Sequence, residues 1–520
     1  MDFMVLIAFI IYFVVVLGIG YYFYNKSHNI EDYILGGRNI NPYVTAMSAQ
    51  ASDMSGWLLM GLPGAVLLMG MGEAWIGIGL AIGSYLSWLF VAKKLRKHSV
   101  IANNSLTIPE FFSNRYGDKK GYLRLICTII ILFFFVIYVA SGFSAGGKIL
   151  MAVFGLPESY SIIAMGIGAI IIIIYTFMGG YKAVCWTDFF QAILMIFAVV
   201  IVPFAVVGSL GGMEAVQTIW DSVGVEEFTN LFFDAGQPLT AIAILSSMAW
   251  AFGYFGMPHI VVRYMSIRHP DEVKVARRVS LIWIVIALGA AIAIGLVGRA
   301  FIEANYGTII SYDGGTTKFI YEGASGTGEM IAENILLYMG NDLFFPLIAG
   351  FLFAAIMAAC MSTVDSQLLV SSSSITNDVL KGTKWAEKQE NLDHKLMWIS
   401  RIVVIAVAVF AFLLASSGNN SIMGLVSYAW AGFGASFGPL MILSLYWKRM
   451  NFSGALASIL VGFATIMIWN MVIKQYVGIY ELLPGFIFAM IAGIVVSLLT
   501  KPPSEDIVKQ FDDAQNYIEE

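Results

Sequence analysis

A carboxylate lies in the middle of a long apolar segment near the N-terminus. The stretch ASDMSGWLLMGLPGA (51–65) contains Asp53 and, three residues later, Gly56. An ionised carboxylate within hydrocarbon costs about 2.5–3.5 kcal/mol, and a glycine weakens a helix by roughly 1 kcal/mol relative to alanine. Unwound backbone in a membrane interior leaves carbonyl oxygens that need a partner. Because hard cations prefer oxygen ligands, this stretch predicts a cation site at a break in a membrane helix.

A second apolar segment is interrupted in a similar way. The stretch SMAWAFGYFGMPHI (247–260) places Gly253, Gly256 and Pro258 close together, and proline removes a backbone donor from a helix. Two interrupted helices in corresponding positions of two halves indicate an inverted-repeat transporter with a site near the bilayer midplane. The alternative, that these glycines and the proline serve helix packing, stays open for either break considered alone.

Hydroxyl groups and a further carboxylate cluster in a third apolar segment. Ser362 and Thr363 are followed by Asp365 and Ser366, in a span rich in alanine. Small residues allow helices to approach closely, so both hydroxyls can line one groove. Serine and threonine in membrane helices also commonly bond their own backbone, and that alternative remains open. Asp365 is harder to explain by packing, because a buried carboxylate needs a partner.

The composition identifies the elements that must carry these residues. The chain has 520 residues, of which 59% are hydrophobic and 12% charged, with a mean hydropathy of +0.80. Apolar segments long enough to cross roughly 30 Å of hydrocarbon recur from end to end. We expect an all-α polytopic membrane protein with a retained N-terminal span. The five histidines are scattered and the glycine pairs lack a phosphate-loop context, so neither an enzyme nor a histidine-based metal site is indicated.

Hydropathy and loop signals predict thirteen transmembrane helices in a single domain, 1–520. They lie near 4–24, 42–70, 74–92, 123–153, 159–178, 184–209, 238–258, 278–303, 334–379, 397–416, 421–446, 453–473 and 481–499. We interpret them as one extra N-terminal span (4–24), a first five-helix repeat (42–209), a second five-helix repeat (238–446), two C-terminal spans (453–499) and a cytoplasmic tail (500–520).

Basic residues fall almost entirely on one side of this predicted arrangement. If the N-terminus lies outside, the Lys and Arg residues that do not face the cytoplasm are Lys148, Arg299, Lys318 and Lys474. Positive charge is normally in excess on the cytoplasmic side. The predicted outer loop at 210–237 contains acidic residues and no Lys or Arg. We therefore expect a multi-pass protein of the cytoplasmic membrane with its N-terminus outside and its C-terminus in the cytoplasm.

Several motifs together resemble the sodium/solute symporter family along nearly the whole chain, 32–499. They are ASDMSGWLLMGLPGA, GGYKAVCWTDFFQA, GYFGMPHI, MST and LVSYAWAGFGA. The resemblance implies a five-plus-five inverted-repeat core and secondary active transport, namely sodium-coupled uptake of L-proline by alternating access. Its partners would be sodium, the small solute and the lipid bilayer, with no nucleic acid and no obligate protein partner. The alternatives are another solute on the same fold (an amino acid, a sugar, pantothenate or sialic acid) and a transporter-like membrane sensor, against which the short tail argues.

The resemblance also implies which residues carry these roles. The sodium ligands would be the backbone carbonyls of Ala51, Met54 and Ala359 with the hydroxyls of Ser362 and Thr363, and Asp53 would serve coupling. The implied substrate-binding residues are Ser55, Gly56, Trp57, Tyr138, Trp250, Tyr254 and Pro258. A helix break offers N–H groups to a carboxylate, and aromatic rings suit an apolar ring with a cationic nitrogen.

A second cation or proton site is a further hypothesis. Asp188, in the motif WTDFFQ, would combine with Asp365 and Ser366, since some family members hold a second sodium at these positions. This chain has Asp365 where close relatives often have a small hydroxyl residue. The alternative is that Asp365 is protonated or pairs with a basic residue near the cytoplasm.

Overall fold

The protein is described here by a computed structural model. It describes residues 3–518 apart from 25–28, 179, 224, 226, 314–316 and 419–420. The predicted tail, 500–520, is therefore described only as far as 518.

The predicted spans of the N-terminal half are helical, apart from the interruption within 42–70. One long helix and a short one precede the first predicted repeat: α1 (Phe3–Tyr24) and α2 (Ile30–Leu35), with a 3-10 turn at Gly36–Arg38. The first repeat region and the loop after it contain α3 (Pro42–Asp53), α4 (Leu62–Met69), α5 (Ala74–Ser87), α6 (Lys93–Ile101), α7 (Ile108–Arg115), α8 (Tyr122–Phe154), α9 (Ser161–Met178), α10 (Tyr181–Ser209) and α11 (Met213–Ser222). Short 3-10 turns lie at Met71–Glu73 and Glu158–Tyr160, and a π-helical turn lies at Trp88–Ala92.

The second half is also mainly helical. It contains α12 (Ala241–Met248), α13 (Pro258–Ser266), α14 (Val273–Asn305), α15 (Ile335–Leu343), α16 (Pro346–Ser373), α17 (Leu392–Ser416) and α18 (Ile422–Tyr446). After them come α19 (Phe452–Ile468), α20 (Lys474–Val477), α21 (Leu482–Leu499) and α22 (Glu505–Asn516). The remaining 3-10 or π-helical turns are Pro270–Glu272, Ala332–Asn334, Ser374–Leu380, Ala386–Lys388 and Trp469–Ile473.

Short strands lie in two loops, and the sequence analysis did not predict them. β1 (Phe233–Asp234) pairs antiparallel with β2 (Gln237–Pro238). β3 (Thr308–Asp313), β4 (Lys318–Gly323) and β5 (Gly326–Ile331) form an antiparallel sheet in the order β3-β4-β5. Among the described residues, this sheet and the turn after it separate α14 from α15. A loop that runs outside the hydrocarbon satisfies its backbone groups by strand pairing, which hydropathy alone does not report.

The number of membrane spans agrees only partly with the prediction. By length and composition, ten helices among the described residues can cross a membrane, or up to twelve if each of two bent pairs is one span. The apolar part of α9, Ser161–Ile174, is shorter than these. The count of thirteen therefore stays a prediction. The predicted segment 334–379 divides into α15 and α16, because the chain is extended at Phe344 and Phe345 and Pro346 begins the next helix.

Both predicted interruptions are present. The axis bends by 60° between Pro42–Asp53 and Trp57–Met69, and a π-helical turn at Trp57–Gly61 follows the first break. The second bend, of 44°, separates Ala241–Phe255 from Pro258–Ser266. There α12 continues as a 3-10 helix, Ala249–Phe255, and Met257 is extended before Pro258 starts α13. Both helices are thus interrupted in the stretches that the sequence indicates, the first at Met54 and Ser55, directly before Gly56, and the second at Gly256 and Met257, directly before Pro258.

Local sequence fixes where the helices around the breaks begin. The side chain of Asn41 accepts a hydrogen bond from Val44 N, and Pro42 occupies the first turn of α3. The hydroxyl of Ser421 accepts in the same way from Gly424 N at the start of α18. Such caps satisfy backbone donors that have no partner inside the helix, so both helices start at defined positions relative to the core.

Close packing brings the first break against two other helices. Gly56 lies where a β-carbon would be 2.9 Å from Ala145 Cβ of α8 and 3.3 Å from Cys360 Sγ of α16. A side chain at this position would push α3 and α4 away from both neighbours. The α16 helix is central: 83% of its most apolar stretch is buried, compared with 33% for α1. The hydroxyls predicted to bind a cation therefore lie in the middle of the protein.

Candidate functional site

Two hydroxyls of α16 meet two backbone carbonyls, one of which belongs to the first interrupted helix. The Ser362 hydroxyl donates to the carbonyl oxygens of Ala51, at 2.8 Å, and Ala359, at 3.1 Å. The Thr363 hydroxyl lies 3.5 Å and 3.1 Å from the same two oxygens. All four residues are buried. A hydroxyl that rotates presents its lone pairs, so this group can offer four oxygens to one hard cation.

Met54, the remaining predicted sodium ligand, marks the point at which α3 stops. Its N–H donates to Gln50 O at 2.9 Å, and its backbone angles, φ −82° and ψ 80°, are no longer helical. The carbonyl of Met54 therefore leaves the helical ladder next to Asp53. Its part in a sodium site stays a prediction.

Asp53 is fully buried, and its contacts join the two interrupted helices. The Tyr254 hydroxyl donates to its carboxylate. The backbone carbonyl of Asp53 accepts from the Trp57 indole, at 3.1 Å, and from the Tyr138 hydroxyl, at 3.5 Å. Asp53 lies two residues after Ala51, whose carbonyl faces the α16 hydroxyls. Asp53 thus connects the candidate cation site to three of the predicted substrate residues, to Tyr254 through its carboxylate and to Trp57 and Tyr138 through its backbone carbonyl.

Aromatic rings gather beside this carboxylate. The ring centroids of Trp57 and Trp250 are 6.3 Å apart. Trp430, on α18, stacks against Trp250 at 6.1 Å and meets Tyr254 edge-on at 5.2 Å. Tyr480 also stacks on Trp250, at 5.3 Å and an interplanar angle of 20°. The structure therefore brings together three predicted substrate residues and adds two aromatic rings that the sequence analysis did not assign.

The other predicted substrate residues are divided between this cluster and a different surface. Ser55 is buried, and its hydroxyl accepts from Trp57 N at 3.4 Å. Gly56 lies at the break, as described above. Pro258 instead lines a small cavity together with Tyr181, Val262 and Arg263. The contacts therefore connect Ser55 with Trp57 directly and Tyr138 with the aromatic group through Asp53. Gly56 packs on α8 and α16 instead, and Pro258 lies at the start of α13 beside the small cavity.

The predicted second cation site contains a fixed positive charge. The Arg263 guanidinium lies 3.2 Å from the Asp188 carboxylate, donates to the Ser366 hydroxyl at 2.5 Å, and donates to Ser48 at 3.2 Å. Ser48 donates to Asp188 at 2.6 Å, and Ser366 lies 3.3 Å from the Asp365 carboxylate. All five residues are buried. Asp188, Asp365 and Ser366 thus lie together around Arg263, a basic residue of the kind that the alternative interpretation gave as a partner for Asp365, and the second cation site stays a prediction.

Arg263 was not identified as a site residue because the positions of Lys and Arg were used only to assign segments to one side of the membrane. Its charge counts toward the predicted cytoplasmic excess, and in the structure it lies within α13 and is only 1% exposed. The signal available was its spacing: Arg263 follows Pro258 by five residues, inside the continuation of the second interrupted helix. A buried arginine requires acceptors, and two carboxylates in neighbouring apolar segments were candidates.

An ion pair with a fully buried carboxylate lies next to the end of the β3–β5 sheet. Glu333 is fully buried and pairs with Lys148 Nζ of α8 at 2.5 Å. Its other carboxylate oxygen accepts from Ile422 N at 2.9 Å, at the first turn of α18. The backbone of Glu333 also packs closely on α4: a β-carbon added at Gly64 would lie 2.8 Å from the backbone N of Glu333. Glu333 therefore connects α4, α8 and α18, and the sequence analysis missed it.

Comparisons with known proteins agree with this geometry. A model of the sodium:solute symporter family matches residues 33–462. The chain is 42% identical over 516 residues to the sodium/proline symporter of Escherichia coli, covering 98% of this chain and 96% of that protein. It is 43% identical over 500 residues to the high-affinity proline transporter PutP of Bacillus subtilis, covering 96% and 98%.

A solved structure shows the same fold. A sodium-coupled sialic acid symporter superposes with a TM-score of 0.77 at 20% sequence identity, covering 97% of this chain and 99% of the other. The two interrupted helices, the helical architecture and the family match over most of the chain lead to one assignment. The chain belongs to the sodium:solute symporter family.

Proposed function

We propose that this membrane transporter couples the inward movement of sodium to the uptake of L-proline by alternating access. The observation that carries the proposal is the group of four oxygens from Ala51, Ala359, Ser362 and Thr363, which lies next to the link between Asp53 and Tyr254. Similarity at 42–43% identity to a sodium/proline symporter and a proline transporter supports this choice of ion and solute.

Coupling between sodium and solute follows from the structural elements that a bound sodium ion would hold together. Sodium held by the hydroxyls of α16 and the carbonyl of Ala51 fixes the end of α3 against α16. Asp53, two residues further on, then presents its carboxylate to Tyr254 of the second interrupted helix. Ordering the first break therefore also orders the second, and the solute site is completed only after sodium binds. Binding energy from the ion is in this way used to pre-organise the pocket.

The solute would lie between the first break and the aromatic group. Met54 and Ser55 are the non-helical residues of the first break, and Ser55 and Gly56 would offer backbone N–H groups to the carboxylate of a zwitterion. Trp57, Tyr138, Trp250 and Tyr254 provide ring faces for a pyrrolidine ring and its cationic nitrogen. Pro258 would take part through the position of α13. With the N-terminus outside, solute and sodium enter from the side of the Glu333–Lys148 pair and leave toward the α6–α7 side.

A second cation forms part of the proposal. Asp188 and Asp365 together carry two negative charges when ionised, and Arg263 compensates one of them. The remaining charge, with the hydroxyl of Ser366, suits one monovalent cation. The alternative is that Arg263 and a proton satisfy both carboxylates, so that a single sodium accompanies each proline.

Uptake into proteoliposomes tests the main proposal. The purified protein is reconstituted, a sodium gradient is imposed, and accumulation of labelled proline is measured with and without the gradient. Uptake that ignores sodium would contradict the coupling. Competition by an excess of another amino acid, a sugar, pantothenate or sialic acid distinguishes the solutes, and failure of unlabelled proline to compete would favour a different substrate for the same fold.

A further inference from the structure

Trp250 is held by a residue that belongs to neither five-helix repeat. Tyr480 lies in the short loop between α20 and α21, after both repeats, and its ring stacks on Trp250 at 5.3 Å. Tyr480 is 8% exposed although its neighbour Tyr476 is 80% exposed. The loop therefore turns one aromatic ring inward, onto a residue of the second interrupted helix.

Two hydrogen bonds fix Tyr480 between the interrupted helix and α18. Its backbone N donates to the Ser246 hydroxyl at 2.7 Å, and its phenolic hydroxyl donates to the Ser427 carbonyl at 2.6 Å. Ser246 lies four residues before Trp250, one turn earlier on the same helix. Tyr480 thus contacts two successive turns of that helix and bridges them to α18.

The loop that carries Tyr480 is itself held in place. The neighbouring Glu481 is fully buried and pairs with Lys474 Nζ at 2.8 Å. Its other oxygen accepts from the Asn470 amide at 3.1 Å, and the Trp469 indole donates to Ile479 O at 3.1 Å. These contacts give the Tyr480 ring a defined position, so it can determine the position of Trp250.

Trp250 needs such support because its backbone is a 3-10 helix, Ala249–Phe255. This helix has poorer hydrogen-bond geometry than an α-helix and often marks a hinge. The carbonyl of Trp250 accepts from the Trp430 indole at 2.8 Å, and Tyr480 supplies a ring contact on the same residue. We propose that Tyr480 is a positioning residue for the solute site, which acts through Trp250 and does not touch the solute itself. The inference rests on the proposed function.

The test compares Tyr480→Leu with Tyr480→Phe in proteoliposomes, using sodium-driven proline uptake per folded transporter. Loss of the ring should raise the proline concentration for half-maximal uptake about threefold to tenfold, the range expected for one aromatic pair. The maximal rate should change by less than about twofold, and the phenylalanine variant should lie closer to the wild-type half-saturation than the leucine variant, because it keeps the ring and loses only the hydroxyl bonded to Ser427 O. Tyr476→Leu, at the exposed tyrosine, is the matched control and should behave as wild type.

A second readout separates positioning from general destabilisation. Competition by the four-membered and six-membered ring homologues of proline is measured in each variant. A displaced Trp250 should change their affinities relative to proline in Tyr480→Leu, whereas a smaller amount of intact protein would leave the ratios unchanged. Tyr480→Met replaces the leucine variant if the latter does not fold, and failure of both to fold would overturn the inference, since Tyr480 would then be structural.

The two proposals fail in different ways. Unchanged half-saturation and unchanged ratios in folded Tyr480→Leu, with wild-type uptake driven by sodium, would overturn the role of Tyr480 alone. Absence of sodium-driven proline uptake in the wild type would overturn the proposed function, and the role of Tyr480 in that function with it.

Discussion

The hydroxyl of Tyr254 donates a hydrogen bond to the buried carboxylate of Asp53, and this contact joins the two interrupted helices at their breaks. Each of the two residues lies where its helix departs from regular α-helical geometry. Asp53 ends α3, and Tyr254 lies in the 3-10 segment before Pro258. The pair therefore joins the end of α3 to the 3-10 segment of the second interrupted helix.

Tyr254→Phe should weaken the response to sodium. The change removes one donor from a buried charged acceptor, which costs about 1.5–3 kcal/mol, or roughly 10-fold to 100-fold in a binding constant. We expect the sodium concentration for half-maximal proline uptake to rise by at least tenfold. Tyr264→Phe is the control, because Tyr264 is equally buried on the adjoining α13 but contacts Ser87. An equal effect in both variants would contradict the special role of the Asp53 contact.

Removal of the α16 hydroxyls should lower sodium affinity directly. Ser362→Ala and Thr363→Ala each delete one oxygen beside Ala51 O, and we expect each to raise the sodium half-saturation by about tenfold. Ser371→Ala is matched to them on the same helix, since its hydroxyl bonds Gln367 O within that helix at 2.8 Å. Sodium titration of uptake is the measurement. A sodium response of Ser362→Ala equal to that of the control would exclude Ser362 as a ligand.

The sequence predicted the parts of this site that depend on backbone chemistry. Gly56 and Pro258 lie at breaks because their effect on a helix is local, and Ser362 lies in the core because its span is rich in alanine. Trp430, Tyr480 and Glu333 were missed, because their roles arise from contacts between segments far apart in the chain. Arg263 was also not identified as a site residue, because its partners Asp188 and Ser366 come from two other helices and lie far from it in the sequence.

Asp365→Ser should change the number of charges moved with each proline if a second cation binds near it. One charge crossing 100 mV contributes about 2.3 kcal/mol, and a tenfold sodium gradient adds about 1.4 kcal/mol. One sodium therefore sustains accumulation of about 500-fold, and two would square that value. In Asp365→Ser we expect the limiting proline accumulation to fall from the two-sodium value to the one-sodium value. The dependence of uptake on sodium concentration should lose its cooperativity.

The control for Asp365→Ser is Asp365→Asn, which removes the charge and keeps the size of the side chain. Both variants should give the lower limit if charge is the cause. Unchanged accumulation and an unchanged Hill coefficient in both would show that Arg263 already satisfies the two carboxylates, and the second cation would be rejected.

Gly253→Ala should abolish transport by displacing Trp430. A β-carbon at this position would overlap the Trp430 indole, and this indole donates to the carbonyl of Trp250 at 2.8 Å. The 3-10 segment and α18 would have to separate, so the aromatic group could not form. Gly289→Ala on α14 is the control, since a β-carbon there meets nothing within 4 Å. Proline binding to purified protein should be lost in the first variant and retained in the second. Retained proline binding in Gly253→Ala would mean that the 3-10 segment can separate from α18 without loss of the solute site. That result would contradict the role of the 3-10 segment in holding Trp250 and Tyr254.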